Sequence, residues 1–324
     1  TWLPGLIKDV MVKHQTSTIE VPAGPFSTEK QKAMGVACMK TWKFDFEGGR
    51  LDVSSHPFCG GVPEDVRLTT RYRDESFDQS LMGIIHETGH AKYEQNRPQE
   101  FITQPVSNAR SMGVHESQSL FAEMQIGRSS AFVKYLVPLV KEHLGDQPAF
   151  TEENLRRLYH RVAPGLIRVD ADELCYPLHI ILRYEIELGV IENRIQVEDI
   201  PRVWAEMMKD YLGLETEGNF KDGCMQDIHW SIGAIGYFPT YTLGAMYAAQ
   251  MMAAVRRQLG DEVVDHDIAS GDLSKILEWQ RENVWKHGSS LSTDALITKA
   301  TGEPLNPLFY RHHLESRYRD GLRQ

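Results

Sequence analysis

The sequence predicts a mainly α-helical protein that carries one small antiparallel β-sheet. Apolar residues recur at helical spacing over most of the chain from residue 114 to residue 320, whereas apolar and polar residues alternate only between residues 42 and 72. A third observation is an amphipathic helical pattern at 76–95, directly after the alternating region. With 324 residues, of which 41% are hydrophobic, the chain is long enough for a large core, and we expect a single domain over 1–324.

The predicted sheet begins with a hairpin. Residues 42–46 and 51–54 alternate on either side of a turn at 47–49, which contains two glycines and is typical of a β-hairpin. After a loop at 56–61, residues 65–72 alternate again and predict a third strand. An edge strand of this sheet could hold an extended peptide by main-chain hydrogen bonds; alternatively, its edges are covered and the sheet is only structural.

The helix predicted at 76–95 has an apolar face formed by Phe77, Leu81, Ile84 and Ile85. Asp74 or Ser76 is expected to cap its start, and the sequence Asn96-Arg97-Pro98 is expected to end it. Gly89 lies inside this helix, where a glycine costs about 1 kcal/mol relative to alanine. A residue that weakens the helix at this point indicates close packing against a neighbouring element.

The same helix contains the sequence His86-Glu87-Thr88-Gly89-His90, an H-E-x-x-H motif. Residues four apart lie on one helix face, one turn from each other, so the imidazoles of His86 and His90 can bind one zinc ion together. Glu87 would lie beside the open position of the metal, where a carboxylate can take a proton from water. A third ligand is expected from a second helix, and both Glu116 and Glu123 fit this position.

Further helices are predicted along the chain by apolar residues at helical spacing. Their expected ranges are about 27–42, 114–143, 151–161, 172–193, 201–213, 241–259, 272–287, 292–301 and 306–319. Residues 223–244 interrupt this pattern, because several glycines, a proline and aromatic residues break the helical continuity. Such a segment is typical of an ordered loop that lines a site.

The charge and the cysteine content argue against several classes of function. The formal net charge is −10, and lysine and arginine are scattered along the chain, so we expect neither nucleic acid nor an anionic membrane as partner. We expect no transmembrane helix and no signal peptide, because no apolar run has the required length or position. The four cysteines form no C-x-x-C pair and are typical of reduced thiols, so we expect a cytoplasmic protein.

Five short motifs follow one another along the chain. They are Asp65 to Thr69 (D-x-R-x-T), His86 to His90 (H-E-x-x-H), His115 to Gln118 (H-E-S-Q), Ile167 to Asp172 (I-R-x-x-A-D) and Gly223 to Trp230 (G-x-x-Q-D-x-H-W). Together they resemble the Taq-type, thermostable zinc carboxypeptidase family of H-E-x-x-H metallocarboxypeptidases. Five motifs in the family's order are hard to explain by chance.

The resemblance implies an H-E-x-x-H helix in a deep groove of a helical protein, and a homodimer. It also implies that His86, His90 and Glu116 bind the metal, which selects Glu116 over Glu123. Zinc suits two imidazoles and one carboxylate, and cobalt can replace it. Members of the family carry a long N-terminal helical region, most of which we expect to be absent from this chain.

The resemblance also assigns catalytic roles. Glu87 would act as the general base and would later deliver the proton to the leaving amine. His229 and Tyr241 are candidate hydrogen-bond donors to the oxyanion, although His229 could instead be a core histidine beside Trp230. His115 could support a metal ligand or simply end a helix.

A carboxypeptidase must recognise a free carboxylate, and a guanidinium does so with two parallel hydrogen bonds. Arg168 is the first candidate for this role and Arg67 the second; the alternative for each is a structural salt bridge. Asp65 or Asp172 is expected to orient such an arginine. Asp227 is expected to fix its loop or to orient the histidine two residues later.

The sequence thus predicts a metal-dependent carboxypeptidase that releases single C-terminal amino acids from peptides. Two alternatives remain open. The first is an endopeptidase or oligopeptidase with the same metal site, and the second is a catalytically impaired, truncated relative that serves as a dimerisation or binding module. The intact Glu87 speaks against a decayed site.

Overall fold

The computed structural model describes residues 2–14, 18–55 and 57–320 of the chain. Within these ranges the molecule is mainly helical and contains one three-stranded sheet, which confirms the predicted fold class. The chain divides into two compact units, and the single domain expected over 1–324 stays a prediction. Unit 1 consists of residues up to 18, 160–243 and from 311 onward; unit 2 consists of residues 19–159 and 244–310.

The helices and strands are labelled in chain order. The helices are α1 (Leu3–His14), α2 (Thr28–Thr41), α3 (Asp78–Gln95), α4 (Met112–Leu120), α5 (Ser130–Leu144), α6 (Glu152–Tyr159), α7 (Tyr176–Ile191), α8 (Ile200–Leu212), α9 (Pro239–Leu259), α10 (Asp261–Ser270), α11 (Ser274–Asn283), α12 (Thr293–Thr301) and α13 (Leu308–Glu315). The strands are β1 (Gly49–Val53), β2 (Phe58–Val62) and β3 (Asp65–Thr70). A π-helical turn, Phe121–Gly127, directly follows α4. Over the described part of the chain, no helix is both long and apolar enough to cross a membrane.

The sheet of unit 2 is mixed, whereas an antiparallel sheet was expected. β3 is its central strand, and Leu68 pairs in parallel with Leu51 of β1 and antiparallel with Cys59 of β2. β3 lies within the predicted strand at 65–72. β2 overlaps the loop that the sequence predicts at 56–61. That loop is predicted because the glycine pair of this segment is typical of a turn. The first residue of the predicted loop, His56, lies outside the described ranges.

The predicted hairpin is wrong in its first strand. The backbone N–H groups of residues 42–44 donate to carbonyl oxygens in the last turn of α2, so this segment ends the helix. Lys43 has a left-handed φ of 51°, which turns the chain out of the helix. Trp42 and Phe44 are buried in the core. The alternation of residues 42–46 therefore reflects a helix end packed against the core, and a strand is absent there.

The helix predicted at 76–95 is confirmed as α3, which ends at Asn96 as expected. Its N-cap is Phe77, whose side chain makes no capping hydrogen bond, so the prediction of Asp74 or Ser76 as the cap is wrong. Phe77 is buried against Phe26, with ring centroids 5.4 Å apart. Apolar packing, and not a polar cap, therefore marks the start of this helix.

The single helix predicted at 114–143 is divided into α4, the π-helical turn and α5. Ser111 caps α4 and Ser129 caps α5, since each side chain accepts a hydrogen bond from a backbone N–H in the first turn. Helices α1 and α10 are absent from the helices predicted from the sequence. A signal for α1 was present, because its buried residues have helical spacing: Leu3, Leu6, Ile7 and Val10.

Helix α3 packs tightly on two sides. A Cβ atom on Gly89 would lie 2.4 Å from the carbonyl oxygen of Gln118 and 2.7 Å from Ser119 Cα, which confirms the close packing that this glycine indicates. On another side, Ile84 joins a buried apolar cluster with Leu68 of the sheet. The H-E-x-x-H helix is therefore held between α4 and the sheet of unit 2.

Candidate metal centre

The two motif histidines lie on one face of α3, with ring centroids 5.0 Å apart. The carboxylate of Glu116, from α4, faces both rings: Oε1 lies 3.8 Å from His86 Nε2, and Oε2 lies 3.4 Å from His90 Nε2. One ligand atom from each of the three residues lies within 4.8 Å of the others. Two atoms bound to one ion at about 2.0–2.1 Å in tetrahedral geometry are about 3.4 Å apart, so these side chains fit a divalent metal ion.

Two glycines allow Glu116 to approach the histidines. Gly89 lets the backbone of α4 contact α3, as described above. On another side of Glu116, a Cβ atom on Gly244 of α9 would lie 2.8 Å from both Cβ and Cγ of the glutamate. A residue larger than glycine at either position would occupy space that Glu116 or helix α4 needs. The two glycines therefore help to define the position of the Glu116 carboxylate.

Helical spacing leaves Glu116 and Glu123 open as third ligand, whereas the family resemblance selects Glu116; the structure gives the two carboxylates different contacts. Glu123 lies in the π-helical turn, where Oε2 is 3.0 Å from His86 Nδ1 and Oε1 accepts a hydrogen bond of 2.7 Å from Arg128 Nη2. It therefore contacts the nitrogen of His86 that is turned away from Glu116. π-Helical turns are frequent at functional sites, and this one carries a residue that touches a candidate ligand.

The outer nitrogen of His90 has a different partner. His90 Nδ1 lies 2.7 Å from Nδ1 of His115, and Nε2 of His115 lies 2.7 Å from Glu94 Oε1. The second oxygen of Glu94 accepts a hydrogen bond of 2.8 Å from Arg97 Nη1. Burial raises the pKa of Glu94, but the hydrogen bonds from His115 and Arg97 outweigh it and keep the carboxyl ionised. His115 thus contacts a candidate ligand and does more than end a helix.

Glu87 is buried, with 7% of its surface exposed. Burial raises the pKa of its carboxyl to about 7, with a further contribution from the negative charge of Glu116, while His86 acts in the opposite direction. A carboxyl with this pKa can take up and release a proton near neutral pH. Burial lowers the pKa of His90 to about 4, which keeps its imidazole in the neutral form that binds metals.

A second group of candidate residues lies in unit 1. Arg168 is 6% exposed, and its Nε and Nη2 atoms donate to Oδ1 of Asp227 at 3.0 and 2.6 Å. Its Nη1 donates to the hydroxyl of Tyr176 at 2.8 Å. The other oxygen of Asp227 accepts from Nε of Arg183 at 2.7 Å. Two arginines therefore share one carboxylate, and the three side chains together carry one excess positive charge.

His229 and Tyr241 lie beside this arginine pair. His229 Nε2 is 3.1 Å from the hydroxyl of Tyr241, and its ring stacks on Phe238 with centroids 4.2 Å apart. The guanidinium carbon of Arg168 lies 5.1 Å from the centroid of the Tyr241 ring. His229 Nδ1 is 3.9 Å from Asp227 Oδ1, which is too long for a hydrogen bond. The expectation that Asp227 orients His229 is therefore not met by a direct contact.

Arg67 lies on strand β3 of unit 2. It is exposed, and its Nε and Nη2 atoms donate to the two carboxylate oxygens of Asp65 at 3.1 and 2.6 Å. The prediction that Asp65 orients an arginine agrees with this pair. Asp172 does not have that contact: its Oδ1 accepts from the backbone N–H groups of Leu174 and Cys175, so it caps a turn.

Several residues that support the metal centre and the arginine pair are not singled out by the sequence motifs. Glu94 had a simple signal, because it follows His90 by four residues on the same helix face. Glu187 had none: its carboxylate accepts hydrogen bonds from Trp230 Nε1 at 2.9 Å and from the backbone N–H of Gly236 at 3.1 Å. It thereby ties the loop that follows His229 to helix α7.

The chain is similar to known proteins over nearly its whole length. Residues 2–318 match the family model described as Carboxypeptidase Taq (M32) metallopeptidase. Thermostable carboxypeptidase 1 of Thermus thermophilus is 37% identical over 317 residues, and carboxypeptidase 1 of Bacillus subtilis is 38% identical over 318 residues. These matches cover 98% and 97% of this chain, and the chain spans 62% of the length of each relative.

Solved structures give the same result. Trypanosoma cruzi metallocarboxypeptidase 1 is 62% identical, with a TM-score of 0.98, and the match covers 98% of this chain and 67% of that one. The M32 carboxypeptidase of Deinococcus radiodurans is 34% identical, with a TM-score of 0.93, over 99% of this chain and 65% of that one.

Proposed function

Because the chain belongs to the family described as Carboxypeptidase Taq (M32) metallopeptidase, we propose that it is a metal-dependent carboxypeptidase that releases single amino acids from the C-termini of peptides. The observation that carries this proposal is the convergence of His86, His90 and Glu116 within 4.8 Å, with the buried carboxyl of Glu87 next to the first ligand. The chain spans 62% of the length of its curated relatives, so the activity is a proposal for the residues present here.

The proposal includes zinc as the metal, with cobalt as a substitute. Two imidazoles and one carboxylate form a donor set that suits zinc in hydrolases, with one coordination position left open. When bound, such an ion supplies a Lewis acid that activates water and polarises a carbonyl group. Glu87 takes the proton from the attacking water and then delivers it to the leaving amine, for which its pKa of about 7 is suited.

His229 and Tyr241 are proposed to donate hydrogen bonds to the negative oxygen that develops on the scissile carbonyl. Their mutual contact of 3.1 Å supports a joint role, because it holds the imidazole and the hydroxyl group side by side. Burial, followed by the charge of Arg168, lowers the pKa of His229, which favours the neutral ring. Loss of a donor of this kind typically reduces the rate by about 10²–10³-fold.

Recognition of the substrate carboxylate is assigned first to Arg168 and second to Arg67, as in the sequence analysis. The excess positive charge of Arg168, Arg183 and Asp227 supports the first choice, because it attracts an anion although part of the guanidinium is already engaged. The exposure of Arg67 supports the second, because a carboxylate can reach it from solvent. Peptides with a free C-terminus are the substrates that follow from this proposal.

A homodimer and a cytoplasmic location also belong to the proposal. The dimer follows from the family resemblance, and size-exclusion chromatography with light scattering tests it. The location follows from the four free cysteines, which are compatible with a reducing compartment.

The decisive experiment is mass spectrometry of a model peptide incubated with the protein, with and without a chelator. A ladder of C-terminal losses that disappears with chelator and in Glu87→Gln supports the carboxypeptidase. Glu75→Gln, an exposed carboxylate ahead of α3, is the matched control and should cleave like the unmodified chain. Internal cleavage would favour an endopeptidase. No cleavage by the zinc-loaded protein would contradict the proposal and favour the binding module.

A further inference from the structure

We propose that Glu94, acting through His115, and Glu123, acting directly, are positioning residues that set the tautomers of the two histidine ligands. Each chain of contacts keeps a proton on Nδ1 of its histidine and leaves the lone pair of Nε2 free toward Glu116. This inference rests on the metal centre of the proposed function, and it concerns residues that bind neither the metal nor the substrate.

The tautomer of His86 depends on one direct contact. An ionised carboxylate can only accept hydrogen bonds, so the short contact of 3.0 Å between Glu123 Oε2 and His86 Nδ1 requires a proton on that nitrogen. Arg128 holds the other oxygen of Glu123, which keeps the carboxylate oriented and ionised. When His86 carries a single proton, as metal binding requires, the free lone pair then lies on Nε2, the atom that faces Glu116.

The tautomer of His90 depends on a second imidazole. The two Nδ1 atoms of His90 and His115 are 2.7 Å apart, so one of them must donate and the other must accept. Glu94 accepts a hydrogen bond from Nε2 of His115, so that nitrogen carries a proton. With a single proton on this ring, Nδ1 of His115 has the lone pair, and it is His90 that donates from Nδ1.

The contacts of His115 and Glu94 oppose a local preference of His90 for the Nε2–H tautomer. Glu116 Oε2 lies 3.4 Å from His90 Nε2, where it could accept a hydrogen bond and favour the Nε2–H form. That form has no lone pair available for a metal. The chain from Glu94 through His115 offsets the attraction of Glu116, so the ring is already in the metal-binding tautomer before the ion arrives.

The test compares zinc affinity in three variants at one fixed pH. Glu94→Gln can donate from its amide to His115 Nε2 and reverse the chain, and His115→Phe removes the acceptor while keeping a ring. Both are expected to weaken zinc binding by about 10–100-fold in competition with a chromophoric chelator. Glu100→Gln, an exposed carboxylate just beyond the same helix, is the matched control and should bind zinc like the unmodified chain.

A spectroscopic measurement separates positioning from a general structural role. In the metal-free protein with ¹⁵N-labelled histidine, His90 should give the signals of the Nδ1–H tautomer, and Glu94→Gln should shift it toward Nε2–H. Thermal melting of each metal-free variant identifies loss of fold, and His115→Phe provides a second variant if Glu94→Gln melts early. If folded Glu94→Gln and His115→Phe bind zinc within twofold of the affinity of the unmodified chain, the inference is overturned. An unchanged His90 tautomer in folded Glu94→Gln would overturn it as well.

The same data keep this inference distinct from the proposed function. A chain that binds zinc stoichiometrically and shows the expected tautomer shifts, but cleaves no peptide, would contradict the carboxypeptidase and support the positioning role. A chain that binds no zinc, or that retains zinc after His90→Ala, would overturn both.

Discussion

Gly244 of α9 lies against the Glu116 side chain so closely that a Cβ atom at this position would be 2.8 Å from both Cβ and Cγ of the glutamate. Distances below 3.0 Å require one group to move. Glu116 belongs to the candidate metal centre. Its carboxylate can occupy the observed position only because residue 244 is a glycine.

Gly244→Ala is therefore expected to displace Glu116 and to weaken zinc binding by about tenfold or more, a loss comparable to that of other residues that orient ligands. Chelator competition measures the effect. Gly5→Ala in α1 is the control, because no atom lies within 4 Å of its Cβ position. Unchanged zinc affinity in Gly244→Ala would mean that the helix yields and the carboxylate keeps its place.

Two glycines of α3 should respond oppositely to the same substitution. Gly83→Ala has its nearest neighbour at 3.7 Å and should stabilise the protein by up to about 1 kcal/mol, because alanine favours the helix. Gly89→Ala would meet the Gln118 carbonyl oxygen at 2.4 Å and should destabilise by about 1–3 kcal/mol through overpacking. Urea unfolding of the metal-free protein compares them, and equal effects would refute the close contact of α3 and α4.

The buried carboxylate of Glu173 holds the C-terminal part of unit 1. It accepts hydrogen bonds from His313 Nε2 at 2.7 Å, Arg317 Nη1 at 2.9 Å and the hydroxyl of Tyr318 at 2.9 Å. Glu173→Gln should destabilise the fold by about 3–5 kcal/mol, because it removes the buried negative charge that pairs with Arg317 and His313. Chemical unfolding measures the loss, and a cost below about 1 kcal/mol would contradict this account.

Glu173 also predicts a pH dependence. Burial raises the pKa of its carboxyl, but Arg317 and His313 outweigh it and hold the pKa well below the ordinary value of 4.5. A depressed pKa in the folded state contributes stability above the unfolded value, and this contribution is lost as the pH falls. The melting temperature of the metal-free protein should therefore decrease below about pH 4.5, and this decrease should be smaller in Glu173→Gln. Parallel curves for the two proteins would exclude Glu173 as the source.

Arg168 and Arg67 can be separated by one substrate comparison. If Arg168 binds the terminal carboxylate, Arg168→Ala should erase the preference for free over amidated C-termini, whereas Arg67→Ala should keep it. Peptide pairs that differ only in this group measure the preference. The reverse result would transfer the role to Arg67, and unchanged discrimination in both variants would exclude the two arginines.

The parts of the molecule that depend on local spacing were predictable. The range of α3 and the pairing of His86 with His90 follow from one helical period, and the structure agrees with both. The failure at residues 42–46 has a definite reason: burial of Trp42 and Phe44 produces the same alternation as a strand, although the backbone hydrogen bonds close helix α2.

The contacts that the candidate histidine ligands make with neighbouring side chains were harder to predict from the sequence. The contact of Glu123 with His86 depends on the π-helical turn, which interrupts the regular period that the apolar residues of 114–143 suggest. The contact of His115 with His90 depends on how closely α3 and α4 approach, and that distance is determined by Gly89 and its neighbours. Tertiary packing, and not propensity, decides both.

His86, His90 and Glu94 occupy three successive turns of one face of α3. Insertion or deletion of one residue between His86 and His90 would rotate everything beyond it by about 100° around the helix axis. The second ligand and the carboxylate that supports it would then leave the site together. This stretch of helix therefore cannot change in length, and an alignment that places a gap between the two histidines describes a protein without this metal centre.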